Sequence, residues 1–239
     1  LVVCCGGDGT FNETLSGLLS AESKTPIGYI PTGSTNDFAS SLKLPLDVLE
    51  ATKNIIEGQP VPYDAGRFGG RVFSYVASFG AFTRTSYTTP QSIKNALGHT
   101  AYVLEGIQEL TQIRNEHIKM IVDGEVVEDD FLFGAICNST SVGGVLTLDP
   151  DVVDLQDNKL EILLVRAPRN LAELHECILA LQDQTYNCAM LTFRSATHIR
   201  IFADPEMPWT LDGEREEGHS EVEVVPEHLA YRLMKRVQP

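Results

Sequence analysis

The sequence has 239 residues, 43% of them hydrophobic and 21% charged, with 18 Lys and Arg against 33 Asp and Glu and a formal charge of -15. A chain this long buries roughly 70% of its unfolded surface, so a core needs neither disulfides nor structural zinc, and the length allows one large domain or two small ones. Disorder and fibrous structure are excluded, and a carboxylate excess with no basic run argues against nucleic acid, whose phosphates are held by clustered Lys and Arg.

In chain order, Leu1 to Cys5 reads as a buried strand, and Phe11, Leu15, Leu18 and Leu19 then fall on one face of a helix. Ile27 to Ile30 forms a second buried strand, and a further helix starts at Asp47, with Glu50 as its capping-box partner and Gly58 as its stop. Strand, helix, strand, helix at this spacing predicts a parallel sheet with crossover helices. Gln59-Pro60-Val61-Pro62 is the expected boundary. It divides an α/β domain, residues 1–62, from a second domain, residues 63–228, with residues 229–239 a candidate to rejoin the first. The sequence opens inside a strand with no Met and no lead-in, so the α/β domain is expected to be incomplete at its N-terminus.

The second region is rich in strands: Arg71 to Phe79, His117 to Val122, Glu125 to Val127 beyond an Asp123-Gly124 hairpin turn, Phe131 to Cys137 and Leu160 to Val165. Leu191 to Phe193, Ile199 to Phe202, Trp209 to Leu211 and Glu221 to Val225 follow. Helices are expected over about 92–113 and 170–182, so the region reads as a β-sandwich with helical insertions. Five cysteines without a C-x-x-C pair suit reduced thiols, with Cys4 and Cys5 packed in a buried strand. Trp209 is expected to pack rather than stack on a substrate, and the six histidines lack metal spacing. No apolar run approaches the ~20 residues that span a bilayer, and a cytoplasmic location is expected.

The densest chemical signal is Gly6-Gly7-Asp8-Gly9-Thr10, between a strand and an amphipathic helix. Glycines let backbone N–H groups approach an anion, and the helix start adds partial positive charge, so the loop suits a polyphosphate. Asp8 sits where a phosphate would sit, which is repulsive unless a divalent cation lies between, so it reads as a direct or water-mediated magnesium partner. Pro31 to Phe38 (P-T-G-S-T-N-D-F) is a second polar loop at a strand end and should face the first across one crevice. Thr32, Ser34 and Thr35 offer hydroxyls there, and Asn36 and Asp37 can cap the short helix that follows. Tight capped turns remain the alternative for both loops.

GGDGT-x-N-E (Gly6 to Glu13) and I-P-x-G-[ST]-x-N-D-F (Ile30 to Phe38), with Ser78-Phe79-Gly80, Lys94 to Tyr102 and Leu211-Asp212-Gly213-Glu214, resemble the diacylglycerol kinase catalytic-domain family. The likeness extends to sphingosine and ceramide kinases. It implies an N-terminal α/β domain similar to NAD kinases and phosphofructokinases, then a C-terminal β-sandwich, with the active site in the cleft between. It also implies ATP and Mg2+ as cofactors. Carried over by position, Gly6, Gly7, Asp8, Gly9, Thr10, Asn12 and Glu13 would contact ATP, joined by Gly33, Ser34, Thr35 and Asn36. Glu214 would be the general base that takes the proton of a lipid hydroxyl, with Asp212 supporting the metal or the base and Asp8 a third catalytic carboxylate. Similar bacterial enzymes hold a structural magnesium at the place of Asp157, with Asp154 and Lys159 contributing, although Asn158 stands where Gly is usual. The resemblance thus points to a lipid kinase acting on diacylglycerol or a related lipid, with transient peripheral contact at the inner membrane surface. A NAD kinase-like phosphotransferase and a non-catalytic lipid-binding regulatory protein are the alternatives.

Overall fold

A computed structural model describes residues 1–80, 114–142, 146–186 and 188–236; the expected helix over 92–113 and the Lys94 to Tyr102 motif lie outside the described residues. Strand β1 (Val2–Gly6) pairs in parallel with β2 (Ile27–Pro31), in register from Val2 opposite Ile27 to Gly6 opposite Pro31. Helix α1 (Asp8–Ser20) makes the crossover. Phe11 and Leu15 are both completely buried, and Phe11 packs against the rings of Tyr29, Phe38 and Tyr231. Burying a phenylalanine this fully stabilises by about 2–3 kcal/mol. Short α2 (Asp37–Ser41) and α3 (Val48–Ile56) follow. The Asp47 carboxylate accepts the N–H groups of Leu49 and Glu50 at 3.0 Å, and Ile55 packs on Gly28 of β2. β1 alternates, burying Cys4 and leaving Leu1, Val3 and Cys5 exposed, and among the described residues it pairs on one side only, with β2.

Gln59 to Pro62 opens a ten-residue strand, β3 (Gln59–Phe68). Pro60 and Pro62 are tolerated because this end of β3 pairs on one side only, with the long β15 (Glu221–Lys235). β15 is also far longer than Glu221 to Val225. Its beginning pairs antiparallel with β12 (Ile199–Phe202), and its end, through Leu233 opposite Ile27, pairs in parallel with β2. Between them its register against β3 shifts at Glu227 to Tyr231, where Leu229 adopts a left-handed φ of 47°. One strand therefore belongs to both layers, and among the described residues thirteen strands make a single curled sheet.

The antiparallel region continues with β4 (Arg71–Phe73), β5 (Val76–Gly80), β6 (Glu116–Val122) and a single 13-residue β7 (Glu125–Cys137) that joins two expected strands. Asp123 and Gly124, with φ of 47° and 92°, form the type I′ turn between β6 and β7. The small hairpin β8 (Ser141–Val142) and β9 (Leu146–Thr147) precedes β10 (Leu160–Arg166). Helix α4 (Leu171–Gln182), capped by Asn170, leads to β11 (Leu191–Ala196), then β12, β13 (Trp209–Leu211) and β14 (Glu214–Glu216). Trp209 is wholly buried against Phe68 and Phe79, in keeping with the packing role. All five cysteines are free. No helix among the described residues is long and apolar enough to cross a membrane.

Candidate active site

The two polar loops meet backbone to backbone at the carboxyl ends of β1 and β2. Thr32 N–H donates to the Gly6 carbonyl at 2.9 Å, and a β-carbon on Gly33 would lie 2.5 Å from the Gly7 Cα. A side chain at Gly33 would force the loops apart, and one at Gly7 would meet the Gly33 Cα at 3.1 Å. The Asn36 side chain closes the second loop on itself, accepting from Gly33 N–H at 2.8 Å and donating to the Gly33 carbonyl at 2.9 Å, with Asn36 itself left-handed at φ 53°. Helix α1 begins behind Gly7, which has no side chain to cap the first-turn N–H groups, whereas α3 and α4 are capped by Asp47 and Asn170. An uncapped helix start beside a glycine loop fits an anionic ligand such as a polyphosphate. Ser34, Thr35, Thr10 and Glu13 are exposed around this point.

Asp8 has a different geometry from a bare carboxylate turned to solvent. It is buried, and its two oxygens accept the N–H groups of Asp37 at 3.1 Å and Phe38 at 3.0 Å. The glycine loop thereby caps α2 and fixes the second loop to the first. Asn12 also turns inward: its amide donates to the Val72 carbonyl at 3.1 Å and to Asp212 Oδ2 at 2.6 Å, tying α1 to the antiparallel region.

Asp212 and Gly213, with φ of 50° and 86°, form a second type I′ turn, joining β13 to β14. The Asp212 carboxylate is buried and faces five donors. Oδ1 accepts from Tyr75 N–H and Val76 N–H at 3.0 Å; Oδ2 accepts from Ser74 N–H at 2.5 Å, Ser74 Oγ at 2.7 Å and Asn12. These bonds take up the backbone of residues 74–76, which is why the expected strand over Arg71 to Phe79 breaks into β4 and β5. Burial pushes the Asp212 carboxyl up, and the hydrogen bonds from Ser74, Val76 and Tyr75 pull it back. Two residues on, Glu214 is half exposed and hangs over α1, where a β-carbon on Gly9 would lie 3.1 Å from Glu214 Oε1. A 440 Å³ cavity opens beside it, lined among others by Glu13, Ser16, Leu19, Arg67 and Arg71.

The acidic loop before β10 forms a separate site. Asp154 Oδ1 accepts from Gln156 N–H and Asp157 Oδ1 from Lys159 N–H, at 3.0 Å each, with Lys159 Nζ 3.6 Å from Asp157 Oδ2. Asn158 is left-handed at φ 62°, a conformation that asparagine tolerates. Among the described residues no group of three or more Asp, Glu, His or Cys side chains is arranged to hold a metal ion. Behind the loop, Glu161 is buried with Oε2 unpartnered, and burial together with the charge of Asp157 pushes its carboxyl up to about 8. The sequence reading missed Asp64, which is wholly buried and accepts from Asn158 N–H at 2.7 Å, Leu229 N–H at 2.6 Å and His228 Nδ1 at 3.0 Å. A lone aspartate in an apolar stretch was the available signal.

Residues 1–68 match the family described as the diacylglycerol kinase catalytic domain, and residues 76–232 match the YegS C-terminal NAD kinase beta sandwich-like domain. The chain is 32% identical over 216 residues to a diacylglycerol kinase of Bacillus subtilis (strain 168), a span of 90% of this chain and 71% of that one. It is 34% identical over 215 residues to that of Staphylococcus carnosus (strain TM300), covering 90% and 70%. A crystal structure of a diacylglycerol kinase from Bacillus anthracis str. Sterne aligns with a TM-score of 0.75 at 25% identity, over 98% of this chain and 77% of the other. The architecture is therefore that of a lipid-kinase fold, an α/β layer followed by a β-sandwich. The chain belongs to the diacylglycerol kinase family.

Proposed function

We propose that this chain is an ATP-dependent lipid kinase that moves the γ-phosphoryl group of ATP onto a hydroxyl of diacylglycerol or a related lipid, with Glu214 as general base. The observation that carries the reading is the placement of Glu214 Oε1 against Gly9 of the glycine loop, which sets a carboxylate beside the position an anion would take at the start of α1. The Gly6 to Thr10 loop and the Gly33 to Asn36 loop would hold the polyphosphate by backbone N–H groups and the exposed hydroxyls of Thr10, Ser34 and Thr35. Glu214 would accept the proton of the lipid hydroxyl as that oxygen attacks. Asp212 acts by fixing the turn that aims Glu214, and Asp8 and Asn12 by locking the two loops and α1. Magnesium would enter with the nucleotide and neutralise phosphate charge. We assign residues 1–62, with 229–239, to the nucleotide-binding layer and residues 63–228 to the lipid side, a division supported by the Leu233 to Ile27 pairing. Membrane contact would be peripheral and transient, because a net charge of -15 gains nothing from an anionic bilayer.

The test is label transfer from γ-radiolabelled ATP to diacylglycerol in mixed micelles, with NAD as a parallel acceptor. Label should appear in the lipid and fall by 10²-fold or more in Glu214→Gln. Label in NADP alone, or turnover unaffected by Glu214→Gln, refutes the reading.

A further inference from the structure

A phosphoryl group transferred past Glu13, Glu214 and Glu216 carries charge on its non-bridging oxygens that a fixed protein cation can stabilise beside any metal that enters with the nucleotide. The β3–β4 hairpin turns at Gly69-Gly70 and sends Arg71 into the same cavity as Glu214. Arg71 Nη1 lies 2.5 Å from Glu216 Oε2, a firm pair. Its Nη2 lies 3.5 Å from Glu214 Oε2, at the limit of hydrogen bonding, while the other oxygen of Glu214 faces Gly9. Arg67, the other cation lining this cavity, is paired through Nε with Glu227. One edge of the Arg71 guanidinium is thus anchored and the other only loosely held, beside the carboxylate that would receive the acceptor's proton. A group 3.5 Å from that carboxylate stands within about one phosphate diameter of the transferring phosphorus, and a planar fork matches two phosphoryl oxygens.

We propose that Arg71 is a catalytic residue whose guanidinium binds the transferring phosphoryl group, an arginine supplied from the chain's own β3–β4 hairpin. The proposal rests on the assignment of Glu214 as base. As the bond from the acceptor oxygen to the γ-phosphorus forms, the bond from phosphorus to the β,γ-bridging oxygen breaks. ADP leaves with that electron pair, and the hydroxyl proton passes to Glu214. Arg71 contributes N–H donors to the non-bridging oxygens, whose charge it stabilises most as the group is in flight. Glu216 serves only as the anchor.

The test compares Arg71→Ala, Arg71→Lys, Glu216→Gln and Glu214→Gln in the lipid phosphorylation assay. Arg71→Ala should lower kcat by roughly 10²- to 10³-fold with KM for ATP and lipid within a few-fold, and added guanidinium ion below denaturing concentration should restore at least tenfold of it. The same ion should do nothing for Glu214→Gln, and Glu216→Gln should lose less than about tenfold. Arg71→Lys, which keeps the charge and the Glu216 pair, should melt like the parent and still lose tenfold or more, so the result stands even if Arg71→Ala is poorly folded. Equal losses in Arg71→Ala and Glu216→Gln, absence of rescue, or a fully active Arg71→Lys overturns the proposal. Loss of turnover in Glu214→Gln with Arg71→Ala unaffected removes the arginine and leaves the base; the converse removes the base and leaves the arginine.

Discussion

Replacing Asp212 by asparagine changes one atom and leaves the shape of the type I′ turn intact. An amide has a single acceptor oxygen. In its better orientation that oxygen takes the place of Oδ2 and keeps Ser74 and Asn12, while the new NH2 group points at the N–H groups of Tyr75 and Val76. Two buried backbone donors then lack acceptors, at about 1–3 kcal/mol each, so the variant should lose about 2–6 kcal/mol. That is a large share of the ~5–15 kcal/mol that separates folded from unfolded domains. Urea unfolding followed through Trp209, the only tryptophan and the start of the same hairpin, reads the change directly. The midpoint should fall with an unchanged slope. A loss below about 1 kcal/mol would show that residues 74–76 find other acceptors, and the account of the strand break between β4 and β5 would fail.

Two further outcomes follow from the same geometry. The Glu161 carboxyl sits near 8 against an ordinary 4.5, so its contribution to stability is full below 4.5 and is lost as pH rises through about 8. Stability should decline between pH 5 and 8, by on the order of 5 kcal/mol over the whole window, seen as a falling melting temperature, and Glu161→Gln should flatten that decline; identical slopes in parent and variant would refute the cause. Gly33→Ala puts a methyl 2.5 Å from the Gly7 Cα and 2.8 Å from Asn36 Oδ1, so the loops must part. It should cost about 1–3 kcal/mol in thermal unfolding and raise KM for ATP well above its effect on lipid.

The α/β layer was legible because its signals are local: the periodic apolar face of α1, the Asp47 cap and the glycines at both strand ends all lie within a few residues of what they determine. The hairpin turn at Asp123-Gly124 was legible for the same reason. What escaped the sequence lies in pairings between distant segments. Gln59 to Pro62 has the composition of a linker, and only β15 alongside makes it a strand. Cys5 reads as buried by hydropathy, but burial there depends on which face of the strand is covered. Asp8 and Asn12 were picked out by motif as ligand contacts, and their hydrogen bonds to α2 and to Asp212 were not foreseen. Polar residues so placed look alike in sequence whether they hold a substrate or hold the fold.

Because β15 borders β12 at one end and β2 at the other, neither layer can complete its hydrogen-bond ladder before this late strand arrives. Strands β1 and β2 are synthesised well before the strand they wait for. Closing that long loop is a slow, entropically opposed event, and the chain should pass through a stage in which the β2 edge is open to pairing with another molecule. Once β15 is seated, the two layers share a backbone element and should come apart in a single cooperative transition rather than one after the other.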